Sequence, residues 1–204
     1  MIFITFEGID GSGKSTQARR LAAHLEGRGH SPLLTREPGG SEGAEEIRRL
    51  LVEGDPERWS PETEILLFTA ARRDHLEKTI GPALAEGHVV ISDRFADSTR
   101  VYQGTTRGDL RQIVDDLHQL MIGREPDLTF VIDMDPEQAL TRGLARRSGE
   151  DRFEDFGADF QVRLRAGFLA LARDNPERFR IIDGMRDEDT IAAEIAALAD
   201  AALA

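Results

Sequence analysis

Residues Gly8–Ser15 read GIDGSGKS and satisfy the spacing G-x-x-x-x-G-K-[ST] of a phosphate-cradling loop. This segment constrains the fold more than any other, because such a loop works only between a strand and a helix. Both flanks comply. Ile2–Phe6 is a short apolar run rich in β-branched and aromatic residues, the pattern of a buried strand. Thr16–Gly29 carries Ala18, Leu21, Ala22 and Leu25 at helical spacing. Gly8, Gly11 and Gly13 let the backbone turn its N–H groups around phosphate oxygens, and the helix N-terminus adds partial positive charge. Gly8, Ile9, Asp10, Gly11, Ser12, Gly13, Lys14, Ser15 and Thr16 are therefore the expected cradle for the phosphates of a nucleoside triphosphate. Lys14 supplies a point charge for the outer phosphates, and Ser15 offers a hydroxyl to Mg²⁺.

The same alternation recurs along the chain. Strands are expected at Ile2–Phe6, Leu33–Thr35, Val89–Ser92, Leu128–Ile132 and Phe179–Ile182. Helices are expected at Thr16–Gly29, Glu42–Val52, Pro61–Leu84, Leu110–Ile122, Pro136–Arg147, Ala158–Arg173 and Asp187–Leu203. Strands alternating with helices imply a parallel sheet covered on both faces. Right-handed crossovers then bring the loops after the strands to one edge. The expected fold is α/β: a five-stranded parallel sheet built on a P-loop, with helices on both faces and a mobile lid. One domain, residues 1–204, is expected, with the lid near residues 142–156.

Composition narrows the classes. The chain has 204 residues, enough for a full α/β core, and no cysteine, so disulfides and thiolate metal sites are excluded. A formal charge of −12 argues against general nucleic-acid binding. No apolar run approaches the roughly 20 residues of a membrane span, and the first residues enter a strand without a basic leader. A cytoplasmic protein with no membrane partner is expected. Of the 26 cations only Lys14 and Lys78 are lysine, and one of them stands in the phosphate loop, where guanidinium is no substitute.

The function is expected just beyond each strand. Asp10 places a carboxylate beside a triphosphate, so a cation must offset it or it must face another ligand group such as a hydroxyl. After the second strand comes Thr35-Arg36-Glu37-Pro38-Gly39-Gly40. A cis Glu37–Pro38 bond would aim its neighbours rigidly, but an ordinary β-to-α turn is the better reading of this stretch alone. After the third comes Ser92-Asp93-Arg94-Phe95. Asp93 there can hold Mg²⁺ through water, and Arg94 can grip a phosphate bidentately.

The stretches FEGIDGSGKST, TREPGG, EEIRRLL, LLFTAARRDHL, SDRFADSTRVYQG and PDLTFVID, with an arginine-rich segment at Arg142–Phe156, stand in an order that resembles the thymidylate kinase family. The phosphate loop is generic; TREPGG and the DRF…YQG run are specific. The resemblance implies the P-loop kinase fold and ATP-dependent, Mg²⁺-dependent phosphorylation of dTMP. It implies that Phe68 stacks on thymine and that Arg72, four residues on, donates to O4. Such a donor would disfavour cytosine, whose amine stands there instead. Thr99 and Gln103 would address the base edge, and Tyr102 would lie beneath the 2′ position and disfavour ribose. Arg94 would bind the dTMP phosphate and Asp10 the 3′-hydroxyl. Arg36 and Glu37 would line the acceptor-phosphate side, and Arg48 would lie near the base. Arg142 would stack on adenine. The phosphate loop lacks the arginine that some members carry there. The catalytic cation is therefore expected from the lid, as in the bacterial branch, with Arg146, Arg147 and Arg152 as candidates. Phe95 departs from the family's usual Tyr or His. The resemblance also implies a homodimer.

Two other classes remain open on the sequence. One is a P-loop nucleotide or nucleoside kinase selecting another base. The other is a non-catalytic nucleotide-binding switch. A guanine-binding switch would carry N-K-x-D, and neither lysine follows an asparagine.

Overall fold

The computed structural model describes residues 2–55, 58–106, 108–144 and 158–204. Its strands are β1 (Phe3–Glu7), β2 (Pro32–Arg36), β3 (Val89–Asp93), β4 (Leu128–Asp133) and β5 (Phe179–Asp183). They form one five-stranded sheet in the order β2-β3-β1-β4-β5, and every pair is parallel. The chain leaves central β1 toward one edge and returns on the other side with β4. The order thus reverses at β1, and ligand crevices open at such reversals beyond the strands' carboxyl ends.

Parity along the strands decides what each residue meets. Ile2, Ile4 and Phe6 face a cluster with Ile91, Phe130 and Ile132, covered by Leu21 and Leu25 of α1 (Lys14–Gly27) and by Ile195 of α9 (Glu188–Leu203). Phe3 and Val90 face the opposite side. There Phe95 meets Phe3 edge-on, with ring centroids 4.9 Å apart. Each such buried side chain contributes about 1.5–3 kcal/mol. The alternation that buries Val89 and Ile91 toward α1 puts Asp93 on that face, beside the phosphate loop. The alternation that buries Phe3 puts Glu7 on the other.

The remaining described helices are α2 (Glu42–Val52), α3 (Pro61–His75), α4 (Gly81–Ala85), α5 (Ala96–Tyr102), α6 (Arg111–Met121), α7 (Pro136–Leu144) and α8 (Ala158–Asp174). Ser60 caps α3 by accepting from Thr63 N at 3.2 Å, with Pro61 in the first turn. The single helix expected over Pro61–Leu84 contains a π-helical turn at Leu76–Ile80 that joins α3 to α4. Pro82 has no N–H for the Lys78 carbonyl and its ring would crowd it, so the wider turn fits the sequence. Helix α5 was not among the expected helices. At seven residues it is too short to show a helical period.

Candidate active site

The loop after β1 is built on close approach. Gly8 has φ 135°, and a Cβ there would lie 2.7 Å from the Ile132 carbonyl oxygen, so only glycine fits. Ile9 is buried, and its carbonyl accepts from Lys14 Nζ at 2.7 Å. Burial first, and Arg94 second, pull the Lys14 ammonium down to about 8, with Asp10 and Asp93 opposing. Ser15 Oγ donates to Asp93 Oδ2, while Asp93 Oδ1 is buried without a partner among the described residues. The two residues expected at Mg²⁺ thus meet, with one carboxylate oxygen uncommitted.

One cleft opens on the β2–β3 side of the loop. It is lined by Asp10, Glu37, Pro38, Arg48, Val52, Phe68, Arg72, Arg94, Phe95, Ser98, Thr99, Tyr102 and Gln103. All the residues expected at the acceptor are here except Arg36. Arg36 stands at the end of edge strand β2, where side-chain alternation turns it outward while Glu37 turns in. It is exposed and paired with Glu45, Nη2 to Oε2 at 3.2 Å, so the structure does not bring it to the cleft.

The Glu37–Pro38 peptide is cis, contrary to the ordinary turn read from that stretch alone. Glu37 Oε2 accepts from Arg72 Nε at 2.7 Å, and Oε1 lies 3.1 Å from His75 Nδ1. His75 in turn reaches Thr35 Oγ1 at 2.8 Å. A Cβ on Gly40, which has φ 86°, would collide with His75 and Thr35, which explains the second glycine of TREPGG. Arg48 Nη1 donates to the Pro38 carbonyl. Arg72 also donates through Nη2 to Thr99 Oγ1 at 3.0 Å and to the Phe95 carbonyl at 3.2 Å. Its Nη1 has no partner among the described residues. The Phe95 ring only packs, with the Arg72 guanidinium 5.2 Å from its centroid.

Asp10 finds its cation in Arg94, 84 residues away. Arg94 Nη2 donates to Asp10 Oδ1 at 2.6 Å, and Tyr102 Oη donates to Asp10 Oδ2 at 2.9 Å. Burial works to raise the Asp10 carboxyl, but Arg94 and then Lys14 outweigh it and hold it near 2. Arg94 also donates through Nη1 to the Gly8 carbonyl at 3.2 Å and to Ser98 Oγ at 2.9 Å, and through Nη2 to Tyr102 Oη at 3.2 Å. Both Nη groups are thus engaged, and Nε has no partner among the described residues. The bidentate grip expected from sequence requires Arg94 to exchange one of these partners for phosphate.

Arg94 is held in a left-handed backbone conformation, φ 71°, a strain of about 1–3 kcal/mol. Glu7 supports it from beneath. Its Oε1 accepts from Phe95 N at 2.8 Å and Ser98 N at 3.3 Å, and its Oε2 from Ser98 Oγ at 2.6 Å. Burial, then Asp97, push the Glu7 carboxyl up to about 7, with Arg94 and the Ser98 donor opposing. Sequence reading missed both Glu7 and Ser98. Glu7 lies within the matching stretch FEGIDGSGKST, but an apolar strand rule does not reach it.

A second cleft opens on the other side of the phosphate loop, lined by Ser12, Gly13, Thr16, Gln17, Arg142, Gly184, Arg186, Glu188 and Ile191. Arg142, the residue expected at adenine, lines this cleft. Gly184 and Arg186 were missed, although they follow β5 as Asp93-Arg94 close β3. The strand-end rule would have found them. Arg146, Arg147, Arg152 and most of the expected lid lie outside the described residues.

The comparisons with known proteins agree with this geometry. The family model described as thymidylate kinase matches residues 6–195. A thymidylate kinase of Dinoroseobacter shibae is 77% identical over 194 residues, covering 95% of this chain and 94% of its own. One from Ruegeria pomeroyi is 71% identical over 194 residues, covering 95% and 92%. The crystal structure of thymidylate kinase from Ehrlichia chaffeensis aligns with a TM-score of 0.79 at 37% identity, covering 98% of both chains. Likeness of that extent, spanning the phosphate loop and both clefts, makes the chain a member of the thymidylate kinase family.

Proposed function

We propose that the chain transfers the γ-phosphoryl group of ATP to dTMP, giving dTDP, with dTMP in the β2–β3 cleft and ATP in the cleft across the phosphate loop. The observation that carries the base assignment is a pair of uncommitted polar atoms on residues that line the cleft with Phe68. Arg72 Nη1 is a donor without a partner among the described residues, and Gln103 Oε1 is a buried acceptor without one. Thymine offers an acceptor at O4 and a donor at N3, the complement of that pair. Cytosine offers the reverse at both positions. Thr99 Oγ1 accepts from Arg72 and keeps its hydroxyl hydrogen for the base or its neighbours.

The sugar lies over Tyr102 and its 3′-hydroxyl reaches Asp10, which Arg94 and Tyr102 hold in place. Arg94 and the Glu37 side of the cleft receive the acceptor phosphate. That phosphate is already an anion near neutral pH, so no general base is required. The loop amides and Lys14 bind the donor phosphates, and Arg142 covers adenine. Ser15 and Asp93, whose Oδ1 has no partner among the described residues, would hold a Mg²⁺ ion, the carboxylate directly or through water. When bound, the ion supplies neutralisation of charge on the transferring phosphates. A lid arginine among Arg146, Arg147 and Arg152 closes over the transferring group.

A homodimer fits the exposed apolar side chains on two adjacent helices, Leu66 of α3 and Ile113, Leu120 and Met121 of α6. No described helix is long and apolar enough to cross a membrane; a cytoplasmic site is the reading that accompanies nucleotide synthesis. The test of the function is ADP release with Mg-ATP and a panel of dTMP, dUMP, UMP, dCMP, AMP and GMP. Turnover highest with dTMP is expected. Equal turnover with dCMP or GMP would defeat the base assignment, and none with any acceptor would favour a nucleotide sensor.

A further inference from the structure

We propose that Glu64 determines base selectivity without touching the nucleotide, by fixing which end of the Gln103 amide faces the base. The inference rests on the reading of the β2–β3 cleft as a thymine site. Glu64, Phe68 and Arg72 stand four residues apart on one face of α3, and Glu64 is fully buried beneath that stripe. Gln103, at the end of α5, is 1% exposed, and its Nε2 donates to Glu64 Oε2 at 3.0 Å.

An amide is nearly symmetric in shape, and its two ends differ only in hydrogen bonding. A carboxylate can only accept, so it draws the NH₂ end toward itself. The oxygen end is then turned away from Glu64, and Gln103 Oε1, on a residue that lines the cleft, is buried with no partner among the described residues. A buried acceptor in that position is relieved by a ligand N–H and repelled by a ligand lone pair. Thymine and uracil carry a hydrogen at N3; cytosine carries a lone pair there. Were the amide free to turn over, its NH₂ end would suit cytosine equally well. Glu64 thereby removes the conformer that accepts the wrong base. One charge-assisted hydrogen bond biases such a choice by about tenfold or more.

The experiment compares kcat/KM for dTMP and for dCMP in the full-length enzyme and three variants. Glu64→Gln can either accept from or donate to Gln103, so it should lower the dTMP:dCMP ratio about tenfold, with the dTMP loss read in KM rather than kcat. The exchange variant E64Q/Q103E puts the carboxylate at position 103, where only oxygens can face the base, and should restore the ratio. A purely structural Glu64 would depress both substrates alike and leave the ratio in place, and that result from E64Q would overturn the proposal. If E64Q does not fold, the exchange variant decides: a wild-type ratio supports the proposal and a collapsed ratio overturns it. Gln103→Leu separates the two levels. An unchanged ratio in Q103L would sink the Gln103 assignment itself. A lowered ratio in Q103L with an unchanged one in E64Q would sink only the role of Glu64.

Discussion

Arg72 performs two tasks whose costs differ enough to be separated. It neutralises buried Glu37 through Nε, and it leaves Nη1 as a donor in the β2–β3 cleft. Arg72→Ala removes both. It leaves the Glu37 carboxylate, 5% exposed, without its cation, and breaking a buried pair in this way costs about 3–5 kcal/mol. For a domain of this size each kcal/mol shifts Tm by about 2–4 °C, so the expected drop is roughly 10 °C. Arg72→Lys keeps a cation near Glu37 but cannot span Glu37, Thr99 and the base at once, because an ammonium is a single point. Its Tm loss should be a few degrees. Its selectivity loss should match that of Arg72→Ala, about 10- to 100-fold in the dTMP:dCMP ratio of kcat/KM, the worth of one hydrogen bond from a charged donor. The assay is paired thermal unfolding and coupled ADP release. Equal Tm values for the two variants would refute the burial argument, and a wild-type ratio in Arg72→Lys would refute the O4 donor.

Three further outcomes follow from the charges around the loop. Lys14 sits near 8 in the free protein, and ATP favours its protonated form. ATP affinity should therefore fall as pH rises above about 8, and calorimetry at pH 8 in buffers of different ionisation heat should show proton uptake; no uptake would contradict it. Glu7, ordinarily near 4.5, is pushed up to about 7. The folded state binds more protons between those values, so stability falls as pH rises through that window. Glu7→Gln should flatten that slope in denaturant titrations at pH 5.5 and 8, and an unchanged slope would assign it elsewhere. Replacing Arg146, Arg147 and Arg152 together by Ala should cut kcat by roughly 10³ with little change in dTMP binding; an unaltered kcat would remove the lid from the mechanism.

The sequence made the sheet legible because apolar runs are the primary signal of buried parallel strands. Each run nevertheless stopped one residue early. The strands end on Glu7, Arg36, Asp93, Asp133 and Asp183, charged residues that the pattern rejects. Four of those five ends lie beside or within the machinery of the clefts or bind an arginine. Asp133 accepts two hydrogen bonds from Arg165, at 2.6 and 2.9 Å, and Glu7 anchors the turn that carries Arg94. Strand propensity fails at the functional edge because selection for chemistry overrides it there. Motifs located Asp10, Arg72, Arg94 and Tyr102, but not who pairs with whom. The Asp10–Arg94 contact joins residues 84 apart, and the Gln103–Glu64 contact joins residues 39 apart. Such pairings exist only after the sheet brings its loops together. Helix α5 shows no single apolar face: its buried residues divide between the core (Ala96, Val101), the Asp97–Arg100 ion pair and the cleft (Thr99, Tyr102).

The central claim is that two nucleotides face each other across Gly8–Ser15. A crystal structure with dTMP and ADP bound tests it most directly. Thymine is expected beside Phe68, with O4 toward Arg72 Nη1 and N3 toward Gln103 Oε1, and adenine beside Arg142 and Arg186. Thymine elsewhere, or presenting its N3 edge away from Gln103, would contradict the account.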